Sequence, residues 1–218
     1  MRPAILLFAK APVPGRVKTR LLDRLDPAAA ARFHAACVSD LLEALTASPL
    51  GADVELYCDT STDAWARFRV ATRLQVPGDL GARMLAALEE ALGRGRPRVL
   101  VLGSDVPDLP AAHLEELLGN NADVVLGPTE DGGYYAIACS RIDPRMFDGV
   151  EWSSGRELGQ TIAACRRCGL SVAVGPEWYD IDTPDDLARL GRSPGLRAHT
   201  WDWFLRHAPG LLQDPGGA

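Results

Sequence analysis

A proline-rich loop with three closely spaced cations is the first segment of the chain that could do chemistry. Residues 8–21 read F-A-K-A-P-V-P-G-R-V-K-T-R-L, and Arg16, Lys18 and Arg20 place three positive charges within five residues. Gly15 lets the backbone approach a ligand. Because the loop leaves a buried strand and enters a helix, where backbone N–H groups favour anions, it predicts a phosphate site. The alternative is a charged surface turn, and neither a Walker loop nor G-x-G-x-x-G is present.

A carboxylate follows the third predicted strand. Asp105 stands in L-G-S-D-V-P-D-L-P, directly after an apolar run. At the carboxyl edge of a sheet it could hold Mg²⁺ or Mn²⁺, which take oxygen ligands and bridge to phosphate oxygens. The alternative is a loop carboxylate in a turn. Asp108, shortly before Pro110, is interpreted more simply as a helix-start residue.

A second acidic cluster, Y-D-I-D-T-P-D-D-L, spans residues 179–187. The polar residues within 183–186 are explained by helix capping and the helix dipole. Capping explains neither Asp180 nor Asp182. One of these two is therefore the predicted second ligand of a cation held by Asp105.

A glycine pair between two predicted strands lies in G-P-T-E-D-G-G-Y-Y-A-I-A, residues 127–138. Gly-Gly at 132–133 predicts a hairpin turn. Glu130 and Asp131 at its mouth could be ligand contacts or a general base. The lone C-x-x-C at 165–168 lacks further ligands at the spacing of a zinc site, so a metal or redox role is disfavoured.

Apolar runs of strand length alternate with segments of helical period. Strands are predicted at 4–8, 53–58, 98–103, 123–126, 134–138 and 170–174, and helices at 27–47, from Asp79 through Leu92, from Pro110 through Leu118, at 154–168 and at 183–190. Ser154 and Glu157 form the S-x-x-E pattern of a capping box. His34 is interpreted as a packed core or edge histidine. The alternation predicts one α/β domain whose mainly parallel sheet has a central first strand and binds ligands at the carboxyl ends of its strands.

Composition bounds the possible functions. The chain has 218 residues, 47% hydrophobic and 24% charged, and a net charge of −6, which excludes wholesale disorder and disfavours general nucleic-acid binding. Residues 1–25 nevertheless carry six cations and one carboxylate. No run is long enough for a membrane helix, and the first apolar run is too short for a signal peptide, so a cytoplasmic protein is predicted. Five scattered cysteines are consistent with reduced thiols.

Five blocks in fixed order carry a resemblance to a known family. They are F-A-K-x-P-x-P-G-x-V-K-T-R-L, P-G-D-L-G-A-R-M at 77–84, G-S-D-x-P-D-L-P, D-G-G-Y-Y and D-I-D-T-P-D-D-L. Over residues 4–190 the chain resembles a bacterial family of unknown function whose members are often labelled glycosyltransferases of the GT-A fold, the nucleotide-diphospho-sugar transferase superfamily. It is more distantly similar to molybdenum-cofactor and phospholactate guanylyltransferases.

The resemblance implies a three-layer α/β/α domain over residues 1–195 with a helical tail over 196–218, and a nucleotide lying over the carboxyl ends of the first strands. The implied nucleotide-binding residues are Lys10, Gly15, Arg16, Lys18, Arg20, Gly78, Asp79, Gly81 and Ser104. Asp105 and Asp182 would be the metal pair, and Asp131 would face the acceptor. Two departures stand out: the first loop is rich in proline rather than glycine, and Asp105 stands alone where glycosyltransferases carry D-x-D.

The preferred hypothesis is metal-dependent glycosyl transfer from a nucleotide sugar to a small-molecule acceptor. Mg²⁺ or Mn²⁺ on Asp105 and Asp182 would neutralise the leaving diphosphate, assisted by Lys18 and Arg16, with Asp131 as the base. The alternative is nucleotidyl transfer from a nucleoside triphosphate to a phosphorylated acceptor. A non-catalytic nucleotide-binding module is a third possibility. Alanine at Lys18 or Arg16 is expected to weaken nucleotide binding with little effect on stability.

Overall fold

Seven strands form one sheet within residues 1–212, the part of the chain that the computed structural model describes. They are β1 (Ala4–Ala9), β2 (Asp53–Cys58), β3 (Ala71–Leu74), β4 (Val99–Gly103), β5 (Val124–Pro128), β6 (Tyr134–Cys139) and β7 (Val172–Val174). The strand order is β3-β2-β1-β4-β6-β5-β7. Only β6 runs antiparallel to its neighbours, β4 and β5. The prediction of a mainly parallel sheet is confirmed. The first strand, predicted to be central, is the third of the seven and pairs with the central strand β4.

Six α-helices surround the sheet within the same residues: α1 (Pro27–Ala47), α2 (Leu80–Gly93), α3 (Ala111–Gly119), α4 (Glu157–Arg167), α5 (Pro184–Gly191) and α6 (Ala198–His207). Side chains fix several starts. The Asp26 carboxylate accepts the first free amides of α1, and Asp79 does the same for α2. Thr183 and Asp186 form a reciprocal capping box at α5. Among residues 1–212, no helix has both the length and the apolar character needed to cross a membrane.

The two faces of β1 are buried in different hydrophobic clusters. Ile5 and Leu7 pack in a cluster with residues of α1 and α3, while Leu6 and Phe8 pack in one with residues of α2 and α4. Every residue of β1 is buried, as a strand covered on both faces requires. The expected three-layer α/β/α fold is confirmed.

The C-terminal helix packs on the outer face of α1. Phe33 of α1 contacts Trp203 and Phe204 of α6 with ring centroids 4.8 and 6.3 Å apart, and the Trp203 indole N–H donates to the Ala29 carbonyl. The Asp40 carboxylate accepts backbone amides at the start of α6. The division of the chain at residue 195 stays a prediction. Chain ends commonly fray, and we expect this of the last five or so residues, which lie outside the described residues.

Three local predictions differ from the structure. Helix α4 begins at Glu157 rather than Ser154, because Ser153 and Gly155 adopt positive φ angles. The capping box is only half formed: the Glu157 carboxylate accepts from the Ser154 amide, but the Ser154 hydroxyl donates to the Glu151 carbonyl. The basic loop ends in a single 3-10 turn, Thr19–Leu21, and not in an α-helix. Strand β3 was not predicted, because it is a largely exposed edge strand and therefore has no apolar run.

Candidate functional site

Two adjoining pockets lie at the carboxyl ends of β1 and β4. The first, of about 380 Å³, is called the basic pocket and is lined by Lys10, Arg16, Lys18, Arg20, His34, Gln75, Leu80, Arg83 and Ser104, among others. The second, of about 610 Å³, is called the acidic pocket and is lined by Thr129, Asp131, Tyr134, Trp152, Glu157 and Asp180, among others. Asp105 and Asp182 line both pockets and therefore lie at their junction. Open α/β sheets bind ligands at this edge.

The Lys18 ammonium group lies between these two carboxylates. Its Nζ is 2.5 Å from Asp105 Oδ1 and 3.7 Å from Asp182 Oδ1, and it donates to the Ile181 carbonyl. The Lys18 side chain is only 3% exposed. Its backbone is left-handed, with φ 49° and ψ 41°, a conformation that costs a residue with a Cβ about 1–2 kcal/mol. The loop therefore holds Lys18 in a strained conformation that directs its charge inward.

Opposite charges at this junction stabilise each other. Burial lowers the pKa of Lys18, but the charges of Asp105 and Asp182 outweigh it, so the net pKa is raised. Partial removal from water raises the pKa of Asp105, but the positive charge of Lys18 outweighs this effect, so the net pKa is lowered. Lys18 and Asp105 are thus both charged at neutral pH. The expectation that replacing Lys18 would barely affect stability stays a prediction, but the buried and ion-paired ammonium favours a loss of stability.

Repulsion dominates on the acidic side. Burial and the nearby charges of Asp182 and Asp131 raise the pKa of Asp180 to about 6. The pKa of Asp182 is also raised, by burial first and against the attraction of Lys18. Asp131 is exposed, and its Oδ1 accepts from the Thr129 hydroxyl at 2.6 Å. The acidic pocket therefore holds more negative charge than its own cations neutralise.

A buried carboxylate ties the two acidic loops together. Asp108 Oδ2 accepts from the Tyr179 hydroxyl at 2.6 Å and the Ser193 hydroxyl at 2.7 Å, and Oδ1 accepts from the Trp178 indole at 3.3 Å. The Ile181 amide donates to the Asp105 carbonyl at 2.9 Å. The interpretation of Asp108 as a helix-start residue is wrong, because its side chain joins the loop after β4 to the segment that carries Asp180 and Asp182.

The junction offers the oxygen donors that a divalent cation requires. Because Asp105 Oδ1 and Asp182 Oδ1 contact one nitrogen atom, they are no more than about 6 Å apart. Two bonds of about 2.0–2.6 Å to one ion would hold them within about 5 Å, so a small approach of the two carboxylates completes the pair. Carboxylate donors without a thiol suit Mg²⁺ or Mn²⁺. The donor set fits such an ion.

A second group with metal-ligand atoms is Asp40, Glu43 and His199, whose ligand atoms lie within 4.8 Å of one another. The Asp40 carboxylate already accepts two backbone amides of α6, and an Arg67 guanidinium nitrogen lies 3.3 Å from the His199 ring. This group lines neither pocket. Its hydrogen bonds explain it as a clamp between α1 and α6.

The structure brings eight of the expected site residues to the two pockets: Lys10, Arg16, Lys18, Arg20, Ser104, Asp105 and Asp182 line the basic pocket, and Asp131 lines the acidic pocket. The other four, Gly15, Gly78, Asp79 and Gly81, line neither. Asp79 caps α2, and a Cβ on Gly81 would meet the Trp152 ring at 2.9 Å. Glu130, the other carboxylate of the hairpin, pairs with Arg189.

Sequence reasoning missed several lining residues. Gln75 donates to the Tyr57 carbonyl and accepts from Arg83, whose Nε is held by the Gly78 carbonyl. Gln75 follows the unpredicted strand β3, whereas Arg83 stands in the P-G-D-L-G-A-R-M block, four residues after Asp79, and could have been found there. His34 is buried, as expected, and its Nε2 lies 2.9 Å from the Lys10 carbonyl, so it also supports the pocket wall.

Comparison with solved structures supports the fold and the type of enzyme. A protein of Desulfovibrio desulfuricans G20, provisionally named a nucleotide-diphospho-sugar transferase, is 32% identical, with a TM-score of 0.86 and 97% of each chain covered. A cytidylyltransferase of Leptospira borgpetersenii has a TM-score of 0.59 at 16% identity, covering 100% of this chain and 99% of that one, which is a likeness of fold alone. The expected nucleotide-diphospho-sugar transferase type of fold is confirmed.

Sequence comparison identifies the family. A 2-phospho-L-lactate guanylyltransferase of Haloarcula marismortui is 32% identical over 198 residues, 88% of each chain. The expectation of a transferase is confirmed by the names of these relatives. A family profile described as "Uncharacterized protein conserved in bacteria (DUF2064)" matches residues 41–154, which include β4, the Asp105 loop and the β5–β6 hairpin. The chain belongs to this DUF2064 family.

Proposed function

We propose that the chain is a nucleotidyltransferase that joins the nucleotidyl group of a nucleoside triphosphate to a small-molecule acceptor. An acceptor oxygen bonds to the α-phosphorus, the bond from that phosphorus to the bridging oxygen breaks, and pyrophosphate leaves with the electron pair. The observation that carries the proposal is the junction itself, where a basic pocket and an acidic pocket share Asp105 and Asp182 around a buried lysine. The relative named a guanylyltransferase supports nucleotidyl transfer over glycosyl transfer and suggests GTP as donor.

Each side chain has a role in this proposal. Lys10, Arg16 and Arg20 bind the triphosphate in the basic pocket, where Lys18 donates to it at the junction. Asp105 and Asp182 would hold Mg²⁺ or Mn²⁺, which when bound supplies positive charge to the phosphates. Positioning and charge neutralisation account for most of phosphoryl-transfer catalysis.

The acidic pocket would take the acceptor. Asp131 is exposed there and keeps one carboxylate oxygen clear of the two hydrogen bonds that its Oδ1 accepts. A hydroxyl acceptor would lose its proton to Asp131 as it attacks, whereas a phosphate acceptor needs no base. The Trp152 and Tyr134 side chains form the apolar wall of this pocket.

The test measures the pyrophosphate that nucleotidyl transfer releases. GTP, ATP, CTP and UTP are each incubated with the protein, Mn²⁺ and a panel of acceptors that begins with 2-phospho-L-lactate, and pyrophosphate is measured. Pyrophosphate release that depends on an acceptor is the expected result. Alanine at Lys18 or Arg16 should weaken nucleotide binding by about 1.5–3 kcal/mol each, the range for hydrogen bonds to charged groups. Arg24→Ala, an exposed cation that lines neither pocket, is the matched control.

Glycosyl transfer from a nucleotide sugar is the second candidate, favoured by the name of the Desulfovibrio relative. It predicts release of a nucleoside diphosphate and stabilisation by nucleotide sugars alone. A ligand at 100 times its dissociation constant raises stability by about 2.7 kcal/mol, which a melting curve resolves. Stabilisation by nucleotide sugars, with no triphosphate giving either stabilisation or pyrophosphate, would overturn the nucleotidyl proposal.

A further inference from the structure

Three oxygens surround the Lys18 ammonium inside the junction. It donates to the Ile181 carbonyl, and its Nζ lies 2.5 Å from Asp105 Oδ1 and 3.7 Å from Asp182 Oδ1, the last an ion pair beyond hydrogen-bond distance. Its side chain is 3% exposed, so water does not replace these partners. Lys18 is thus bound as a cation by the same two carboxylates that would ligate a divalent ion.

A divalent ion at these oxygens would compete with the Lys18 ammonium. A Mg²⁺ or Mn²⁺ ion needs a carboxylate oxygen at about 2.0–2.6 Å, and the ammonium is already 2.5 Å from Asp105 Oδ1. An ion in contact with that oxygen would therefore lie within a few Å of a second positive charge. The low-dielectric surroundings of a buried side chain make such a repulsion strong.

The basic pocket gives the Lys18 side chain a place to move. Lys18 lines this pocket and not the acidic one. Arg16 and Arg83 also line it alone, whereas Lys10 and Arg20 line both pockets, so the basic pocket is the side of the junction that attracts phosphate. The Lys18 backbone is fixed by the buried Val17 before it and the 3-10 turn after it, so the flexible four-carbon stem would carry the movement.

We infer that Lys18 is a competitive occupant of the cation site, which makes metal binding depend on the nucleotide. In the free protein its ammonium blocks Asp105 and Asp182; when phosphates bind in the basic pocket they draw the ammonium away and open the two carboxylates to the ion. This inference rests on the proposed function, since it needs a phosphate ligand in the basic pocket. It assigns an order to the site: the cation enters with or after the nucleotide.

Arg20 provides a matched control. It also contacts Asp182, at 2.9 Å, but its side chain is 63% exposed and does not lie between the two carboxylates. Replacing either residue by methionine removes one positive charge near Asp182. Only the Lys18 replacement clears the space between the carboxylates. Simple charge removal therefore predicts similar effects from the two variants, and competition for the site does not.

The experiment measures Mn²⁺ binding without nucleotide, by the electron paramagnetic resonance signal of free Mn²⁺. Lys18→Met and Lys18→Gln should each bind Mn²⁺ at least tenfold more tightly than wild type, and Arg20→Met should change the affinity much less. Adding Asp105→Asn to either Lys18 variant should abolish the gain. Folded Lys18 variants with wild-type Mn²⁺ affinity, or an equal gain in Arg20→Met, would overturn the inference.

A measurement on the wild type covers the case in which both Lys18 variants fail to fold. Mn²⁺ alone should raise the melting temperature of the wild type only slightly. Mn²⁺ and GTP together should raise it much more than GTP without any divalent ion does. An equal rise with Mn²⁺ alone overturns the inference. Pyrophosphate release is scored separately. If the wild type releases pyrophosphate but the Lys18 variants bind Mn²⁺ no more tightly than it does, only the competition is refuted. If the Lys18 variants bind Mn²⁺ more tightly but the wild type releases no pyrophosphate, only the proposed activity is refuted.

Discussion

At the scale of single residues, the junction between the two pockets brings together features that would each destabilise the fold on their own. Lys18 has a strained backbone and a buried charge, and Asp105 and Asp182 repel each other. The ion pairs offset these costs in the free protein, because an opposite charge within about 4 Å favours the charged form of each group. Removing one member of such a group leaves an uncompensated buried charge, which is more destabilising than the loss of a surface ion pair.

Lys18→Ala should therefore lower the free energy of unfolding by about 2–3 kcal/mol, less than for a fully buried pair because Asp105 is 42% exposed. Arg16→Ala, which replaces an exposed cation two residues earlier in the same loop, should change it by less than about 0.5 kcal/mol. Urea denaturation of both variants in EDTA measures the difference. Equal stabilities would mean that the Lys18 ion pairs contribute nothing to the free protein.

Asp180 gives a pH-dependent prediction. Its pKa of about 6 lies above the ordinary value of 3.8, so the native state binds a proton more tightly than the unfolded chain and loses stability as pH rises from about 4 to about 6. Asp180→Asn removes this penalty. In EDTA the variant should be more stable than wild type by about 1–2 kcal/mol at neutral pH and nearly equal to it at pH 4. A gain that is the same at both pH values would contradict the repulsion among these carboxylates.

At the scale of elements, the site depends on contacts between segments that are far apart in the chain. The loop after β4 and the segment before α5 are joined through Asp108, and the basic loop meets both through Lys18. Apolar runs and capping residues predicted the strands and most helix starts, because those signals are local. They could not predict that Lys18 fills the space between Asp105 and Asp182, since a contact across 163 residues, such as that of Lys18 with Ile181, leaves no local pattern.

Asp108→Ala tests this joint. It would leave the Tyr179 hydroxyl, the Ser193 hydroxyl and the Trp178 indole without their acceptor, and buried donors left unpaired cost about 1–3 kcal/mol each. We expect a loss of about 3 kcal/mol or more in the free energy of unfolding. Asp23→Ala, an exposed carboxylate, should change it by less than about 0.5 kcal/mol. Guanidinium unfolding compares them, and similar values for the two variants would refute the structural role of Asp108.

At the scale of the whole molecule, the sheet was predictable except for the edge strand β3. Strands β1 and β4 are buried on both faces and read as continuous apolar runs, whereas β3 lies at an edge with most of its residues exposed. The glycine pair predicted the β5–β6 hairpin, and Gly132 indeed adopts a φ of +90°, with the Gly155 carbonyl so close that a Cβ would lie 2.1 Å from it. That approach brings the start of α4 against the acidic pocket, a long-range contact that a single sequence does not reveal.

Helix α6 tests whether residues 1–212 unfold as one unit. Trp203 is 4% exposed, packs against the Phe33 ring and donates to the Ala29 carbonyl, so α6 shares its core with α1, which in turn covers the sheet. Trp203→Ala should then cost about 3–5 kcal/mol, the range for a large aromatic removed from a core, and lower the single melting transition of the whole protein. Because no residue of α6 lines either pocket, activity per folded molecule should stay at the wild-type level. Calorimetry of the variant distinguishes this outcome from a tail that unfolds separately. A new transition at low temperature, with the main transition unchanged, would show that α6 unfolds by itself. That result would support a boundary near residue 195.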